Sequence, residues 1–206
     1  MSDTVVDQLY RSVRGAWPEL PALTGEQVAA LHAHYSLLRK WNPKINLVGA
    51  STLETAAVKH YAESLYLASL LPDGMEAVLD VGSGAGFPGF PLAVLRPDVR
   101  VTLVESDRRK AAFLRESCTL SNVTVLCRRL DEVDSRIDAV ITRAVDPRVV
   151  VSWGADHARH FGFLGSTSDC LSLRQHPSLL DAVSSLLPWL PSSSVLWGMF
   201  HVEQSA

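Results

Sequence analysis

A ten-residue loop between two apolar stretches contains four glycines and reads Asp-Val-Gly-Ser-Gly-Ala-Gly-Phe-Pro-Gly at positions 80–89. Gly82 and Gly84 permit a tight turn and a close approach of a ligand to the backbone, and Gly86 permits close packing of a helix on the preceding strand. Three alternating glycines exceed what a plain turn needs, although a tight turn that binds no ligand is the alternative interpretation. The loop therefore predicts a site for a ligand that lies against the backbone.

Glycine loops bind several kinds of ligand. A P-loop is excluded here, because no Gly-Lys-Ser or Gly-Lys-Thr follows the glycines. A dinucleotide stays possible, since residues 84–89 match Gly-x-Gly-x-x-Gly in a shifted register. The pattern Asp-x-Gly-x-Gly-x-Gly is that of methyltransferases that use S-adenosylmethionine. This cofactor carries an ammonium and a sulfonium, so the carboxylate of Asp80 suits it electrostatically.

Acidic residues follow the next two predicted strands. Glu105 ends the second strand, about twenty residues beyond the loop, where a carboxylate can accept both hydroxyl protons of a ribose. Dinucleotide sites share this feature, so it does not discriminate between the two ligands. Asp131 lies just after the third strand, where it can accept a hydrogen bond from an adenine amino group or cap a surface helix.

Arg143 ends the fourth predicted strand, at the position that faces the transferred methyl group in methyltransferase folds. Amino-group methylases of adenine and cytosine carry an Asn/Asp-Pro-Pro-aromatic motif there, which this chain lacks. It also has no Pro-Cys pair for attack on a pyrimidine carbon. An arginine at this position suits a carboxylate, a phosphate or a guanine edge. The alternative is a structural ion pair with a nearby acid such as Asp146.

Alternating strands and helices after residue 76 predict an α/β fold with a parallel sheet. Ligands of such sheets bind beyond the carboxyl ends of the strands, where the loop 80–89 would lie. We expect strands at residues 77–81, 101–105, 123–126, 138–142, 160–164 and 195–202, and helices at 90–95, 108–120, 147–159 and 179–187.

Residues 1–75 predict helices. Thr24 begins a capping box, and the helix that follows should end near Pro43, because helix is disfavoured before a proline. Ser51 begins a second capping box ahead of a helix that closes at Pro72. We therefore expect a helical N-terminal extension, residues 1–75, packed on a core of residues 76–206 as one structural unit.

Composition restricts the class of protein and its compartment. Hydrophobic residues make up 47% and charged residues 20%, as in soluble globular proteins. The net charge of -3 disfavours a general nucleic-acid binder but permits a local basic face. No apolar run is long enough to span a bilayer, and residues 1–15 lack the apolar core of a secretory signal. The 3 cysteines have no CxxC spacing, so we expect a reducing cytoplasm and neither disulfides nor a zinc site.

Six motifs, taken in order, give the chain its resemblance to a known family. It resembles the bacterial 16S ribosomal RNA guanine-N7 methyltransferases, also called the glucose-inhibited division protein B family, over residues 30–165. The motifs are Trp41-Asn42 with Asn46-Leu47, Lys59-His60 with Ser64-Leu65, the loop 80–89, Lys110-Ala111-Ala112-Phe113-Leu114, Arg129-Leu130-Asp131-Glu132 and Thr142-Arg143-Ala144.

The resemblance implies a Rossmann-like class I methyltransferase fold with a mostly parallel seven-stranded sheet and a helical N-terminal extension. Arg143 would close the site near the methionine part of the cofactor or the target base, and Arg129 would contact RNA. His60 and Asn46 would line the entrance, or be a core histidine and a turn asparagine. The residues expected at the cofactor are Asp80, Gly82, Gly84, Phe87, Glu105, Leu130, Asp131 and Arg143.

The implied reaction is methyl transfer from S-adenosylmethionine to N7 of a guanine in 16S ribosomal RNA, either naked or within a small-subunit particle. It implies no metal, no membrane and a monomer. A nicotinamide-dependent oxidoreductase and an inactive RNA-binding or assembly protein stay open as alternatives. The chain departs from the family at Glu63, which replaces Asp, at Asp131, which replaces Glu, at Val145, which replaces a common aromatic residue, and before Gly165, which lacks the usual lysine.

Overall fold

Seven strands form one sheet in the computed structural model, which describes residues 5–201. In chain order the strands are β1 (Ala77–Val81), β2 (Arg100–Val104), β3 (Val123–Leu126), β4 (Ile137–Arg143), β5 (Ala158–Ser166), β6 (Leu179–Leu187) and β7 (Leu190–Phe200). Their order across the sheet is β3-β2-β1-β4-β5-β7-β6, and β7 runs antiparallel to both of its neighbours. The pairs from β3 to β5 are parallel, which confirms the predicted fold class.

Helices cover both faces of the sheet. They are α1 (Val5–Ala16), α2 (Gly25–Ile45), α3 (Ala50–Glu54), α4 (Glu63–Ser69), α5 (Gly89–Leu95), α6 (Arg108–Ser117), α7 (Pro147–His157) and α8 (Thr167–Leu173). A π-helix, Ala57–Ala62, leads directly into α4, and a 3-10 turn spans Leu130–Glu132. No helix in the described range is both long and apolar enough to cross a membrane.

The helical segment before β1 shares a hydrophobic core with the sheet. Leu38 of α2 and Tyr61 of the π-helix are buried in one cluster with Phe90 and Phe113 from the helices that flank β2. A second cluster, which includes Val150 of α7, fills the opposite face. The N-terminal helices are therefore packed on the core, whereas the division of the chain at residue 76 stays a prediction.

Helix α2 begins as predicted but ends later. Its capping box is complete, since the N–H of Gln27 donates to Thr24 Oγ1 and the N–H of Thr24 donates to Gln27 Oε1. The predicted end near Pro43 is wrong, because α2 continues to Ile45. Asn46 then adopts a left-handed conformation, and its N–H still donates to the carbonyl of Asn42 at 2.9 Å, which holds the last turn in place.

The predicted capping box at Ser51 is also wrong. Helix α3 begins after Gly49, which has no side chain with which to cap it. The hydroxyl of Thr52 instead donates to the carbonyl of Gly49 at 2.8 Å. Ser51 is therefore a suitable N-cap residue by sequence, but it does not cap this helix in the structure.

The predicted helix over residues 179–187 is wrong, because this segment is strand β6. Leu179 and Ala182 are both buried although they lie three residues apart, a spacing that mimics a helix. A register shift between Leu180 and Val183 accounts for it, with Asp181 at a φ of 47°. Such an irregularity lets both buried side chains face the core from one strand. Strand β7 begins before the predicted Val195, and Val202 lies outside the described residues.

The packing of α7 on the sheet can be tested by a substitution at Gly154. A Cβ atom there would lie 2.5 Å from Cζ of Phe200 and 2.9 Å from Cγ1 of Val140. We expect Gly154→Ala to lower the free energy of unfolding by about 1–3 kcal/mol through overpacking. Gly25→Ala, with nothing within 4 Å of the new atom, is the control and should shift it by no more than about 0.5 kcal/mol. Equal urea denaturation midpoints for the two variants would contradict this packing.

Candidate active site

The glycine loop lies across the carboxyl ends of β1 and β2. Gly82, Gly84 and Gly86 have φ values of 70°, 53° and 87°, a region that favours glycine. The N–H groups of Gly82 and Ser83 donate to the carbonyl of Val104 at 2.9 and 3.1 Å, which ties the loop to the end of β2. A Cβ atom on Gly82 would overlap Cγ2 of Val145, so this position admits no side chain.

Asp80 supports the loop from beneath. Its side chain is fully buried, and its Oδ2 accepts a hydrogen bond from the N–H of Gly89 at 3.0 Å. Oδ1 has no partner among the described residues, and burial raises the pKa of this carboxyl to about 7. The carboxylate therefore shapes the turn into α5, and its predicted contact with a cofactor stays a prediction.

Glu105 follows the last residue of β2 and points at the loop. Its Oε2 accepts from the N–H of Gly84 at 2.9 Å, and its Oε1 accepts from the N–H of Asp107 at 2.8 Å. Each carboxylate oxygen has a second lone pair, so the group can still accept hydroxyl protons from a ligand. The structure thus joins two of the predicted cofactor residues, Gly84 and Glu105, by a direct hydrogen bond.

Phe87 belongs to an aromatic wall beside the loop. The ring of His60 stacks on it with centroids 4.9 Å apart, and Tyr61 meets it edge-on at 4.9 Å. Neither ring nitrogen of His60 has a hydrogen-bond partner within residues 5–201, although both are buried. Burial, helped by the charge of Arg143, lowers the pKa of His60 to about 3, so the ring is neutral at physiological pH.

His34 connects the loop to the N-terminal helices, a role that the sequence analysis missed. Because a carbonyl can only accept, Nε2–H of His34 donates to the Ala85 carbonyl at 2.9 Å. Nδ1 must then accept from the hydroxyl of Tyr61 at 2.6 Å. The signal was present in the sequence, because His34 lies on the buried face of α2 with Leu31 and Leu38.

Arg143 ends β4 as predicted, and it forms an ion pair with an acid other than the Asp146 named as an example. Nη1 lies 2.6 Å from Oε2 of Glu63 and donates to the carbonyl of Lys59 at 2.8 Å. The alternative of an ion pair with a nearby acid is therefore observed, but with Glu63 in place of Asp146, whose carboxylate pairs with Arg148 at 3.0 Å. Glu63, at the position where the chain departs from the family, is therefore the residue that holds Arg143.

The remaining predicted residues lie on the surface at the same edge. Arg129 pairs with Asp131 through Nε and Oδ1 at 3.2 Å, and both side chains are exposed. No hydrogen bond within the described range joins them or Leu130 to the glycine loop. Asn46 is exposed at the end of α2. The structure thus brings the loop, Glu105 and Phe87 together and leaves the Arg129 segment at the rim.

Two cavities lie at opposite edges of the sheet. The larger, about 1120 Å³, is at the amino ends of the strands, next to Ala77, Arg100 and Ile137. Ligands of open parallel sheets bind at the carboxyl edge, so we assign the chemistry to the other cavity. That cavity, which we call the β4–β5 cavity, measures about 490 Å³ and is lined by Glu63, residues 143–147, residues 163–166, Asp169, Ser192 and Ser193.

The site offers binding groups rather than an acid–base apparatus. No group of three or more metal-ligating side chains is present in the part of the chain that the structure describes. The loop supplies backbone, Glu105 supplies a carboxylate and Phe87 supplies an apolar wall. Such a site can hold a nucleoside-like ligand and orient a second reactant beside Arg143.

Comparison with known proteins identifies the family to which the chain belongs. The GidB family model, described as rRNA small subunit methyltransferase G, matches residues 27–161. The ribosomal RNA small subunit methyltransferase G of Paracoccus denitrificans is 43% identical over 122 residues, which are 57% of this chain and 63% of the relative. The protein of that name from Rhodospirillum centenum is 48% identical over 124 residues, 58% of this chain and 56% of the relative. The chain thus spans 56–63% of the length of these two relatives.

Solved structures share the fold at low sequence identity. Magnesium protoporphyrin IX methyltransferase from Synechocystis, solved with bound SAM, matches with a TM-score of 0.57 and 15% identity, over 82% of this chain and 97% of that one. A SAM-dependent O-methyltransferase from Thermotoga maritima matches with a TM-score of 0.51 and 17% identity, over 70% and 66%. These likenesses establish the methyltransferase fold alone.

The bridge through His34 predicts a pH-dependent stability. Burial lowers the pKa of His34 from 6.5 to about 4, so between these values the unfolded chain binds the proton and the folded chain does not. The contribution of His34 is complete above pH 7 and is lost as the pH falls to 4, a change of about 3 kcal/mol. We therefore expect the difference in free energy of unfolding between the wild type and His34→Leu to shrink by about 3 kcal/mol as the pH falls from 7.5 to 4.

Urea denaturation at pH 7.5 and at pH 4 measures this change. His32→Leu, which removes a half-buried histidine from the same helix, is carried through the same measurement as the control. A pH-independent difference for His34→Leu would contradict the neutral bridging histidine.

Proposed function

Because the chain belongs to the rRNA small subunit methyltransferase G family, we propose that it transfers a methyl group from S-adenosylmethionine to N7 of a guanine in 16S ribosomal RNA. The observation that carries the proposal is the glycine loop, which cannot bear a side chain at Gly82 and is hydrogen-bonded through Gly84 to Glu105.

The residues present fit an adenosine-containing sulfonium cofactor. A Cβ atom on Gly84 would meet only the Gly82 carbonyl, at 3.7 Å, so the space over this residue is open to a ligand. Glu105 would accept the ribose hydroxyls, Phe87 would form an apolar wall, and Leu130 and Asp131 would read the adenine from the rim. When bound, the cofactor supplies an electrophilic methyl group on sulfur.

The same loop fits a dinucleotide poorly. A pyrophosphate needs free N–H groups at the start of the helix after the loop. In this chain the N–H of Gly89 donates to Asp80, the N–H of Phe90 donates to the Gly86 carbonyl, and Pro91 has none. A buried carboxylate at Asp80 would also repel a phosphate. These contacts favour S-adenosylmethionine over NAD as the ligand.

The reaction asks little of the protein beyond positioning. The N7 lone pair of guanine is exposed in the major groove and is already nucleophilic, so no general base is needed. Orientation and water exclusion can supply roughly 7–11 kcal/mol at most. The base becomes cationic as it gains the methyl group, so a neutral His60 beside it is favourable. Arg143 should contact O6, a phosphate or the cofactor carboxylate rather than N7.

The proposed function extends to the RNA contact, the form of the substrate and the state of the protein. Arg129, exposed at the rim, would contact RNA, and the substrate would be naked RNA or a small-subunit particle. We infer a cytoplasmic monomer that needs no metal. An inactive RNA-binding or assembly protein is the remaining alternative, favoured by the lysine missing before Gly165.

Labelled methyl transfer tests the activity. The protein is incubated with unmodified small-subunit particles, or with naked 16S RNA, and a donor labelled in its methyl group. We expect label in the RNA, and about a hundredfold lower rate for Arg143→Ala, because electrostatic contacts at the reacting base are worth that much. Full transfer and full cofactor affinity in Arg143→Ala would contradict the role of this residue, and unlabelled RNA would favour the assembly protein.

Cofactor identity is tested by thermal denaturation. S-adenosylhomocysteine should raise the melting temperature, whereas NAD should not, because only the former fits the loop. Gly82→Ala should weaken this binding at least tenfold, since its Cβ atom would overlap Val145 and its φ is strained. Gly15→Ala has open space around the new atom and serves as the control. A rise in melting temperature with NAD instead would contradict the assignment of S-adenosylmethionine as the cofactor.

A further inference from the structure

Glu63 and Arg143 form a buried ion pair beside the β4–β5 cavity. The side chain of Glu63 is 2% exposed and that of Arg143 is 23% exposed, and both residues line the cavity. Burial raises the pKa of Glu63 and lowers the pKa of Arg143, so each charge is held against a desolvation penalty. A buried ion pair often adds little to the free energy of unfolding, because desolvation of both charges offsets their attraction. A functional role therefore explains this pair better than a stabilising one.

The guanidinium of Arg143 lines the cavity and has donors that its ion pair and its backbone hydrogen bond do not use. Its ion pair with Glu63 and its hydrogen bond to the Lys59 carbonyl, the contacts it makes within residues 5–201, both use Nη1. Nε–H and the two hydrogens of Nη2 are left for a ligand, and a guanidinium presents them as a planar fork. The cavity therefore has a fixed donor edge that suits an acceptor oxygen.

We propose that the Glu63–Arg143 pair is the charge-neutral floor of the pocket for the acceptor base, with Arg143 donating to the keto oxygen O6 and Glu63 as its positioning residue. This inference rests on the proposed function. Adenine carries an amino group in place of O6, which would set donor against donor. The same edge therefore selects guanine over adenine, the other purine with an exposed N7.

The charge balance of the transfer explains why the pair must be neutral. The N7 lone pair forms the new N–CH3 bond, the S–CH3 bond breaks and its electrons stay on sulfur, and no proton moves. The sulfonium thus becomes neutral while the base becomes cationic. Arg143 alone would oppose this change of charge on the base, whereas the carboxylate of Glu63 offsets it at 2.6 Å from Nη1.

Several groups set the titration of Glu63. Arg143 faces it from β4, Lys59 and His60 belong to the π-helix before it, and Asp146 and Asp169 line the cavity across from it. Among these, Arg143 and Lys59 favour the carboxylate, and burial opposes it. Protonation of Glu63 at low pH should leave Arg143 uncompensated, so methyl transfer should decline on the acid side.

The test compares Glu63→Gln, Glu63→Asp and the wild type with unmodified small-subunit particles and a labelled donor. We expect Glu63→Gln to lower kcat about a hundredfold, to keep S-adenosylhomocysteine affinity within threefold and to lose the acid limb of the pH profile. Glu63→Asp restores the charge on a shorter side chain, so it should recover kcat to within about tenfold and keep the limb. Asp98→Asn, which removes a surface carboxylate paired with Arg96, is the control and should behave as wild type.

The outcomes separate this inference from the proposed function. An active wild type together with a Glu63→Gln variant of unchanged kcat and unchanged pH profile overturns the inference alone. A wild type that binds S-adenosylhomocysteine but leaves the RNA unlabelled overturns the proposed function and this inference with it. If Glu63→Gln shows no cooperative melting transition, Glu63→Asp decides, because wild-type kcat with no acid limb in that variant overturns the inference.

Discussion

The contact on which the rest of the site depends is the bridge that His34 makes between the hydroxyl of Tyr61 and the Ala85 carbonyl. The loop backbone has few packing atoms of its own because four of its ten residues are glycine, so it needs support from outside. His34 supplies that support from α2, and Cys118 and Phe90 close the space around Gly86. The N-terminal helices thus help to hold the glycine loop in its observed shape.

Two cationic or titratable side chains near the glycine loop are held without net charge. His60 is neutral because burial and Arg143 lower its pKa to about 3, and Arg143 is matched by Glu63. Arg129 lies at the rim instead, where its exposed ion pair with Asp131 leaves it accessible to phosphates. This division suits a reaction whose product base is positively charged. It also explains how a chain of net charge -3 could act on RNA.

The sequence predicted the fold well where local pattern and tertiary structure agree. Strands β1 to β5 and the glycine loop follow from apolar runs and glycine spacing, and both were predicted near their observed positions. Strand β6 could not be predicted, because the irregularity at Asp181 gives its buried residues a helical spacing. The extension of α2 past Pro43 depends on the cap at Asn46, which is decided by the turn that follows.

The site was predicted in part for similar reasons. Gly84, Glu105 and Phe87 carry recognisable spacing, and the structure places them together. The pairing of Arg143 with Glu63 joins residues 80 positions apart, so the sequence alternative of an ion pair named the nearer Asp146 instead. For His34 the sequence shows only a polar residue on an apolar helix face, which does not reveal its two hydrogen-bond partners. Contacts of this kind depend on packing between elements, which a single sequence does not specify.

The most direct test of the account is the position of the transferred methyl group in the RNA. After transfer to unmodified small-subunit particles, the 16S RNA is reduced with borohydride and treated with aniline, which cleaves the chain at N7-methylguanine. The account predicts one new cleavage site, at a guanine, whose yield matches the label incorporated. Label that resists this cleavage, or that maps to adenine or a pyrimidine, would contradict it.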